Sequence, residues 1–305
     1  MISFTPTDRS APPDASTSGA PTPGYESVDG EPIDVLDTAP ARLRAESVRL
    51  AYDDRVVVDE LSLVVPTGKV TVVIGPNACG KSTLLRALAR LVAPRRGTVL
   101  LDGDEIRRLP TRVVAQRLGL LPQQPICPDG IAVADLVARG RHPHQRWYRQ
   151  WSPDDETAVR SALVATGIAD LADRSVDELS GGQRQRAWIA MALAQGTEIL
   201  LLDEPTTFLD LSHQIEVLDL LAELNASEQR TIVCVLHDIN LACRYADHLV
   251  AMKDGRIVAE GPPDEVIDEA TILEVFGLDA RVVEDPVAGT PLVVPIGRHR
   301  AADDG

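Results

Sequence analysis

Two stretches of the chain have residue types and spacings suited to phosphate chemistry. GPNACGKST, residues 75 to 83, sets Gly75, Gly80, Lys81 and Ser82 at the intervals G-x-x-x-x-G-K-[ST]. Glycines let backbone N–H groups curl around phosphate oxygens, and a helix opening at such a loop adds the positive end of its dipole. A lysine at this position is expected to reach the β- and γ-phosphates of a nucleotide, and the serine hydroxyl to ligate Mg2+. The second stretch is LLLDEPTTFLDLSH, residues 200 to 213, where an apolar run stops at two adjacent carboxylates, Asp203 and Glu204. Alone, such a pair commonly caps a helix. Downstream of a phosphate loop, Asp203 is expected to hold Mg2+ through water, and Glu204 to orient or deprotonate the attacking water.

Three further sites extend the pattern. LSGGQRQR (179–186) places Ser180, Gly181 and Gly182 at the start of a helix, a second helix N-terminus suited to an anion. One nucleotide does not need two such cradles from one chain, so two copies are expected to face each other, each completing the other's site. Gln123, in GLLPQQP, and His237, ending TIVCVLH, each follow a strand-like run and suit polar contact with the phosphate end. Cys79 lies inside the phosphate loop, where it either donates only its backbone N–H or, near a helix N-terminus, acquires a lowered pKa and reactivity.

The elements that must position these groups are legible as runs. RLRAESVRLAY and RVVVDELSLVV alternate as strands do, while VTVVIG, EILLLD and TIVCVLHD are short continuous apolar runs of the kind buried on both faces. GTVLLDGDEI reads as a strand and turn; STLLRALARL, 153–172 and 183–195 read as helices. Strands alternating with helices predict an α/β fold with a largely parallel core sheet. No internal repeat is present, so the chain holds one such site-bearing cassette.

The chain has 305 residues, 44% hydrophobic and 25% charged, which is room for a sizeable core. A net charge of −16 argues against a nucleic-acid partner. Cys79, Cys127, Cys234 and Cys243 lack metal-ligand spacing and form no disulfide framework. No run of about 18 apolar residues predicts a membrane-spanning helix, and MISFTPTDRS lacks the basic and apolar regions of a signal peptide, so a cytosolic location is expected. Residues 1–40, rich in Pro, Ser and Thr with seven acidic residues against one arginine, are expected to form a disordered acidic tail.

Taken together, these motifs resemble the nucleotide-binding subunits of ABC transporters, over roughly residues 42 to 295. The resemblance implies a P-loop NTPase of ABC type, with an antiparallel β subdomain and a helical subdomain (about 125–180) inside an ATPase domain at 41–280, followed by a C-terminal extension at 281–305. It implies ATP and Mg2+ as cofactors. It makes residues 75–83 (Gly75, Pro76, Asn77, Ala78, Cys79, Gly80, Lys81, Ser82, Thr83) the Walker A loop, and Gln123 the Q-loop residue, a metal ligand beside Ser82 and Asp203. Residues 179–183, with Ser180, Gly181, Gly182 and Gln183, become the signature; Glu204 the catalytic base; 207–210, ending at Asp210, the D-loop; His237 the switch histidine; and Tyr52 the residue stacked on adenine. Two departures from the family pattern stand out. Ala78 replaces a frequent glycine and is acceptable only at negative φ, and Phe208 brings a bulky side chain into the D-loop.

RGRHPHQ, TTFLDLSHQ, HDINLACRYADHLV and DEVIDEATILEVFGLDARVVEDP resemble the importers of iron–siderophore complexes, and related haem and cobalamin importers share much of this text. That implies a homodimer of cassettes docked on two permease subunits at the cytoplasmic face of the membrane, fed indirectly by a periplasmic or lipoprotein siderophore-binding protein. Trp147, Tyr148 and Trp151, in a chain with 3% aromatics, either grip a permease helix or pack the helical subdomain. A soluble ABC-type ATPase would more often carry two cassettes or a long coiled-coil insertion, and a non-hydrolysing ATP sensor is disfavoured by the complete set Lys81, Gln123, Asp203, Glu204 and His237.

Overall fold

The computed structural model describes residues 41–123, 125–126, 128–145, 151–207 and 209–296. The expectations for the tail at 1–40, and for Cys127, Trp147, Tyr148, Phe208 and residues 297–305, lie outside the described residues.

The chain opens with β1 (Leu43–Tyr52) and β2 (Arg55–Val65), then β3 (Val70–Ile74) and α1 (Lys81–Leu88). β4 (Arg96–Leu101) and β5 (Asp104–Glu105) lead to α2 (Thr111–Arg117), β6 (Leu118–Leu121), α3 (Val133–Ala138), α4 (Pro153–Ala165) and α5 (Gly181–Ala194). There follow β7 (Ile199–Asp203), α6 (Leu211–Glu228), β8 (Thr231–Val235), α7 (Ile239–Tyr245), β9 (His248–Lys253) and β10 (Arg256–Gly261). Last come α8 (Pro263–Val266), α9 (Glu269–Phe276), β11 (Ala280–Glu284) and β12 (Pro291–Pro295).

Two sheets carry the molecule. The central one has the order β10-β9-β3-β8-β7-β6, parallel from β9 to β6, with β10 added antiparallel at the edge. The other is antiparallel, in the order β2-β1-β4-β5. Side chains of the central strands alternate between two cores. Leu200, Leu202, Ile232 and Cys234 join the core beneath α3–α6, while Ile199, Leu201, Val233 and Val235 join the core shared with α1 and the antiparallel sheet. Both faces are therefore buried, which is why these strands read as continuous apolar runs rather than as alternation.

The helical region between β6 and β7 is fastened internally. Ser152 and Asp155 cap α4 reciprocally, and Asp155 also takes the buried Arg141 Nε at 2.9 Å. Arg141 Nη1 donates to Ala194 O at 2.8 Å, so the turn after α3 is tied to both α4 and α5. α4 is shorter than the helix expected over 153–172: it closes at Thr166, whose hydroxyl returns to Ala162 O at 2.8 Å. α5 begins two residues before its apolar pattern, because Ser180 and Gln183 form a second capping box. β11 and β12 form a hairpin fixed to α7, where Asn240 accepts from Val293 N at 2.7 Å and donates to Val293 O at 3.3 Å.

Candidate functional site

Four neighbouring parallel strands, β3, β8, β7 and β6, end at one edge of the central sheet, and each delivers one part of the site just beyond its C-terminal end. Such edges are where open α/β sheets bind ligands. The loop 75–80 follows β3 and runs into α1; His237 follows β8; Asp203 ends β7 and Glu204 follows it; Gln123 follows β6.

The phosphate loop is already folded. Gly75 has φ +149°, and a Cβ there would fall 2.2 Å from Met252 O, so only glycine lets the loop lie this close to β9. Cys79 O accepts from Gly255 N at 2.9 Å, which fixes the loop to the β9–β10 turn. Lys81 is buried and folds its ammonium back onto the loop, donating to Gly75 O at 2.8 Å and Pro76 O at 2.9 Å.

One sequence expectation is overturned in this loop. Ala78 does not keep a negative φ: it sits at +63°, left-handed backbone that costs an L-residue about 1–2 kcal/mol. Tertiary contacts on either side hold it there, the left-handed bend bringing Cys79 N back toward Pro76 O at 3.4 Å. Cys79 fits the plainer of its two readings, a residue that serves through its backbone. It is 4% exposed, and burial pushes its thiol pKa up despite the nearby Lys81.

Above the loop lies a cavity of about 250 Å³ whose lining includes Asn77, Ala78, Gly80, Lys81, Ser82, Thr83 and Glu204, joined by Arg55 and Val57 of β2. Arg55 and Val57 were not singled out in the sequence; their runs identify a strand but not what it lies against. Tyr52 ends β1, 44% exposed, and is not part of this lining. Neither are the signature residues Ser180, Gly181, Gly182 and Gln183, nor Asp210. Ser180 and Gly181 are exposed at the start of α5, and Asp210 caps α6 by accepting from His213 N at 3.0 Å.

The paired carboxylates occupy different environments. Asp203 is buried; its Oδ1 accepts from Ser82 Oγ at 2.8 Å, while its Oδ2 has no hydrogen-bond partner. Arg86, one turn beyond Ser82 on α1, approaches that oxygen only to 4.0 Å. Burial raises the Asp203 pKa, and Ser82 and Arg86 offset it only in part. Glu204 sits at φ +54° with its carboxylate held from three sides. Gln123 Nε2 donates to Oε2 at 2.5 Å, Thr207 Oγ1 donates to the same oxygen at 2.9 Å, and His237 Nε2 lies 2.8 Å from Oε1. Burial works to raise this pKa, but the bonds from His237, Thr207 and Gln123 outweigh it and hold Glu204 below the usual carboxylate range. An ionised carboxylate only accepts, so His237 Nε2 carries the proton of that bond.

The structure thus brings Lys81, Ser82, Gln123, Asp203, Glu204 and His237 to one sheet edge. It adds Arg86, which no motif singled out, and gives Thr207, the first residue of the stretch 207–210, a contact of its own with Glu204. A weak signal existed for each: Arg86 stands four residues after Ser82 on one helix face, and Thr207 follows Glu204 by three within a turn. The oxygens fit Mg2+, a hard cation that takes oxygen ligands. A buried carboxylate oxygen without a partner sits beside a serine hydroxyl already bonded to the other oxygen. Among the described residues no group of three or more His, Cys, Asp or Glu side chains could hold a metal, so a cation here would complete its shell from phosphate oxygens and water.

Comparison with known proteins identifies the family. Residues 58–207 match the ABC transporter family model. The Probable siderophore transport system ATP-binding protein YusV of Bacillus subtilis (strain 168) is 60% identical over 258 residues, 85% of this chain and 94% of that protein. The ferric enterobactin transport ATP-binding protein FepC of Escherichia coli (strain K12) is 55% identical over 258 residues, 85% of this chain and 95% of that protein. Among solved structures, a metal-chelate type ABC transporter in an inward-facing conformation superposes with a TM-score of 0.74 at 28% identity, covering 85% of this chain and 98% of that one. The chain belongs to the ABC transporter family, as an ATP-binding, ATP-hydrolysing protein whose relatives include the ATP-binding proteins of siderophore transport systems.

Proposed function

We propose that this chain powers import of iron–siderophore complexes by working as two copies on a pair of membrane permease subunits, peripherally at the cytoplasmic face of the membrane. The observation that carries the catalytic part is the Glu204 carboxylate, fixed by Gln123, Thr207 and His237 beside the Ser82–Asp203 pair.

ATP enters over the loop 75–83 with its phosphates toward the N-terminal end of α1. Lys81 then exchanges the carbonyls of Gly75 and Pro76 for phosphate oxygens. Ser82 and Asp203, with Gln123 near, would hold Mg2+, which would supply neutralising charge for the phosphates. Glu204, kept ionised by its hydrogen bonds, orients a water toward the γ-phosphate and accepts its proton. His237 Nε2 keeps Oε1 in place.

Support for two copies comes from the signature. Ser180 and Gly181 are exposed, with a capped helix behind them, yet they are absent from the lining of the chain's own cavity. A helix N-terminus of this kind suits an anion supplied by another chain, and the partner copy's nucleotide is such an anion. Asp210 caps the start of α6, and Tyr52 is exposed and free to stack on an adenine beyond the phosphate cavity. The siderophore assignment rests on the relatives named above. The transported complex is held by a binding protein and the permease, so nothing in this chain selects it.

The test is Glu204→Gln in the full chain. Phosphate release should fall about 100-fold or more, while ATP still binds. In cells lacking the gene, uptake of iron-55 ferric siderophore should be restored by the wild-type chain and not by the variant. Undiminished phosphate release from the variant would overturn the catalytic assignment; normal siderophore uptake in the deleted strain would overturn the transport assignment.

A further inference from the structure

His213 joins two segments that the proposed reaction needs on one surface but gives no role to that side chain. It stands in the first turn of α6, directly after the D-loop. Its Nδ1 lies 2.6 Å from Asp210 Oδ1, which also accepts from His213 N at 3.0 Å and from Ser212 Oγ at 2.9 Å. The other side of the imidazole lies against the signature. A Cβ on Gly182 would fall 2.4 Å from His213 Cδ2, 2.9 Å from Cγ and 3.0 Å from Nε2. The ring thus occupies the space that any side chain at position 182 would take. One turn further along both helices, Arg186 pairs with Glu216, which continues the same seam.

The consequence is mechanical. The signature start (Ser180, Gly181) and the D-loop (Asp210) are both solvent-facing, and neither contributes to the lining of this chain's cavity. Two loops that must meet one partner nucleotide together need a fixed separation. A planar ring with two rotatable bonds, packed on a glycine at one side and hydrogen-bonded to a carboxylate at the other, is a stiff spacer; a flexible side chain is not.

We propose that His213 is a positioning residue that sets the spacing between the D-loop and the signature of one chain, so that both engage the nucleotide bound by a second copy. The proposal rests on the two-copy reading above and adds to it the part that aligns the trans-acting surface.

The test uses the full chain carrying Glu204→Gln, with Mg-ATP, and reads two quantities. Fluorescent mant-ADP binding reports the chain's own cavity; light scattering across a concentration series reports ATP-dependent dimerisation. Adding His213→Ala removes ring and bond, whereas His213→Phe keeps a ring over Gly182 and loses only the bond to Asp210. Mant-ADP affinity should stay within about twofold in both, which also certifies the fold. The dimer dissociation constant should rise about tenfold with His213→Ala, because two loops no longer held at a fixed spacing must be ordered on association, and by a smaller factor with His213→Phe. Unchanged dimerisation of the His213→Ala protein would overturn the proposal. A Glu204→Gln parent that stays monomeric at saturating ATP would overturn the two-copy reading instead, and this proposal with it.

Discussion

Asp203→Asn should make the nucleotide-free protein more stable while removing its function. The Asp203 side chain is 2% exposed, its Oδ2 has no hydrogen-bond partner, and the guanidinium facing it is 4.0 Å away and itself 43% exposed. Leaving a buried polar atom unsatisfied costs about 1–3 kcal/mol, and more when it is charged. Asparagine keeps an oxygen to accept from Ser82 and removes the charge, but its amide then carries an unpaired N–H, so only part of the cost is recovered. A gain of about 1–2 kcal/mol, or roughly 2–8 °C in Tm for a domain of this size, is expected. The pH dependence has a definite sign. A carboxyl whose folded-state pKa is raised favours the folded chain most below its unfolded value of about 3.9, and that contribution is lost as pH rises through the folded value. The variant's advantage should therefore be full near neutral pH and shrink toward pH 4. Thermal unfolding of both proteins without nucleotide, at pH 7.5 and pH 4.5, measures this. A variant less stable than wild type at pH 7.5 would refute the reasoning, because it would mean that the carboxylate is satisfied before any cation arrives.

Thr207→Val removes one of two donors to Glu204 Oε2. It should lower kcat about three- to tenfold with little change in KM for ATP, and Thr207→Ser should restore most of the rate. Arg141→Ala leaves Asp155 and Ala194 O without their buried partner and should cost about 3–5 kcal/mol, seen as a lower Tm and faster proteolysis between α3 and α4. Burial works to raise the Asp155 pKa, but Arg141 and Ser152 hold it below the usual range, so this contribution is present above pH ~4 and fades as acid protonates the carboxylate. Ala78→Gly should stabilise the fold by about 0.5–1 kcal/mol and so raise Tm slightly, because glycine takes positive φ without penalty while loosening the unfolded chain. Ala78→Val should lower it, since a β-branched residue is strained there.

The site was readable in the sequence where chemistry sits at the end of a run. Asp203, His237 and Gln123 each follow an apolar strand, and a parallel sheet necessarily brings such ends to one edge. The loop 75–83 was readable because its glycines and Lys81 have fixed spacing. What the sequence hid depends on tertiary approach. His213 lies against Gly182 of a different helix, and no periodicity reports which ring lies on which glycine. The positive φ at Ala78 is not legible in the sequence because propensity is a local rule and the loop's fastening to β9 and the β9–β10 turn overrides it. Arg55 and Val57 were visible as strand residues, but their place beside the phosphate cavity follows from packing of β2 against the loop.

Lys81 bonded to the carbonyls of Gly75 and Pro76 has one more consequence. The loop carries its own stand-in for the guest: its cation is already dressed by oxygen, and its glycines already hold their curve. Arrival of a nucleotide is then a ligand substitution at nitrogen, carbonyl oxygen giving way to phosphate oxygen, rather than an act of folding. Little chain entropy is left to lose at that moment, so the loop's contribution to binding should be dominated by enthalpy, and departure of the product leaves the ammonium the same two carbonyls to return to.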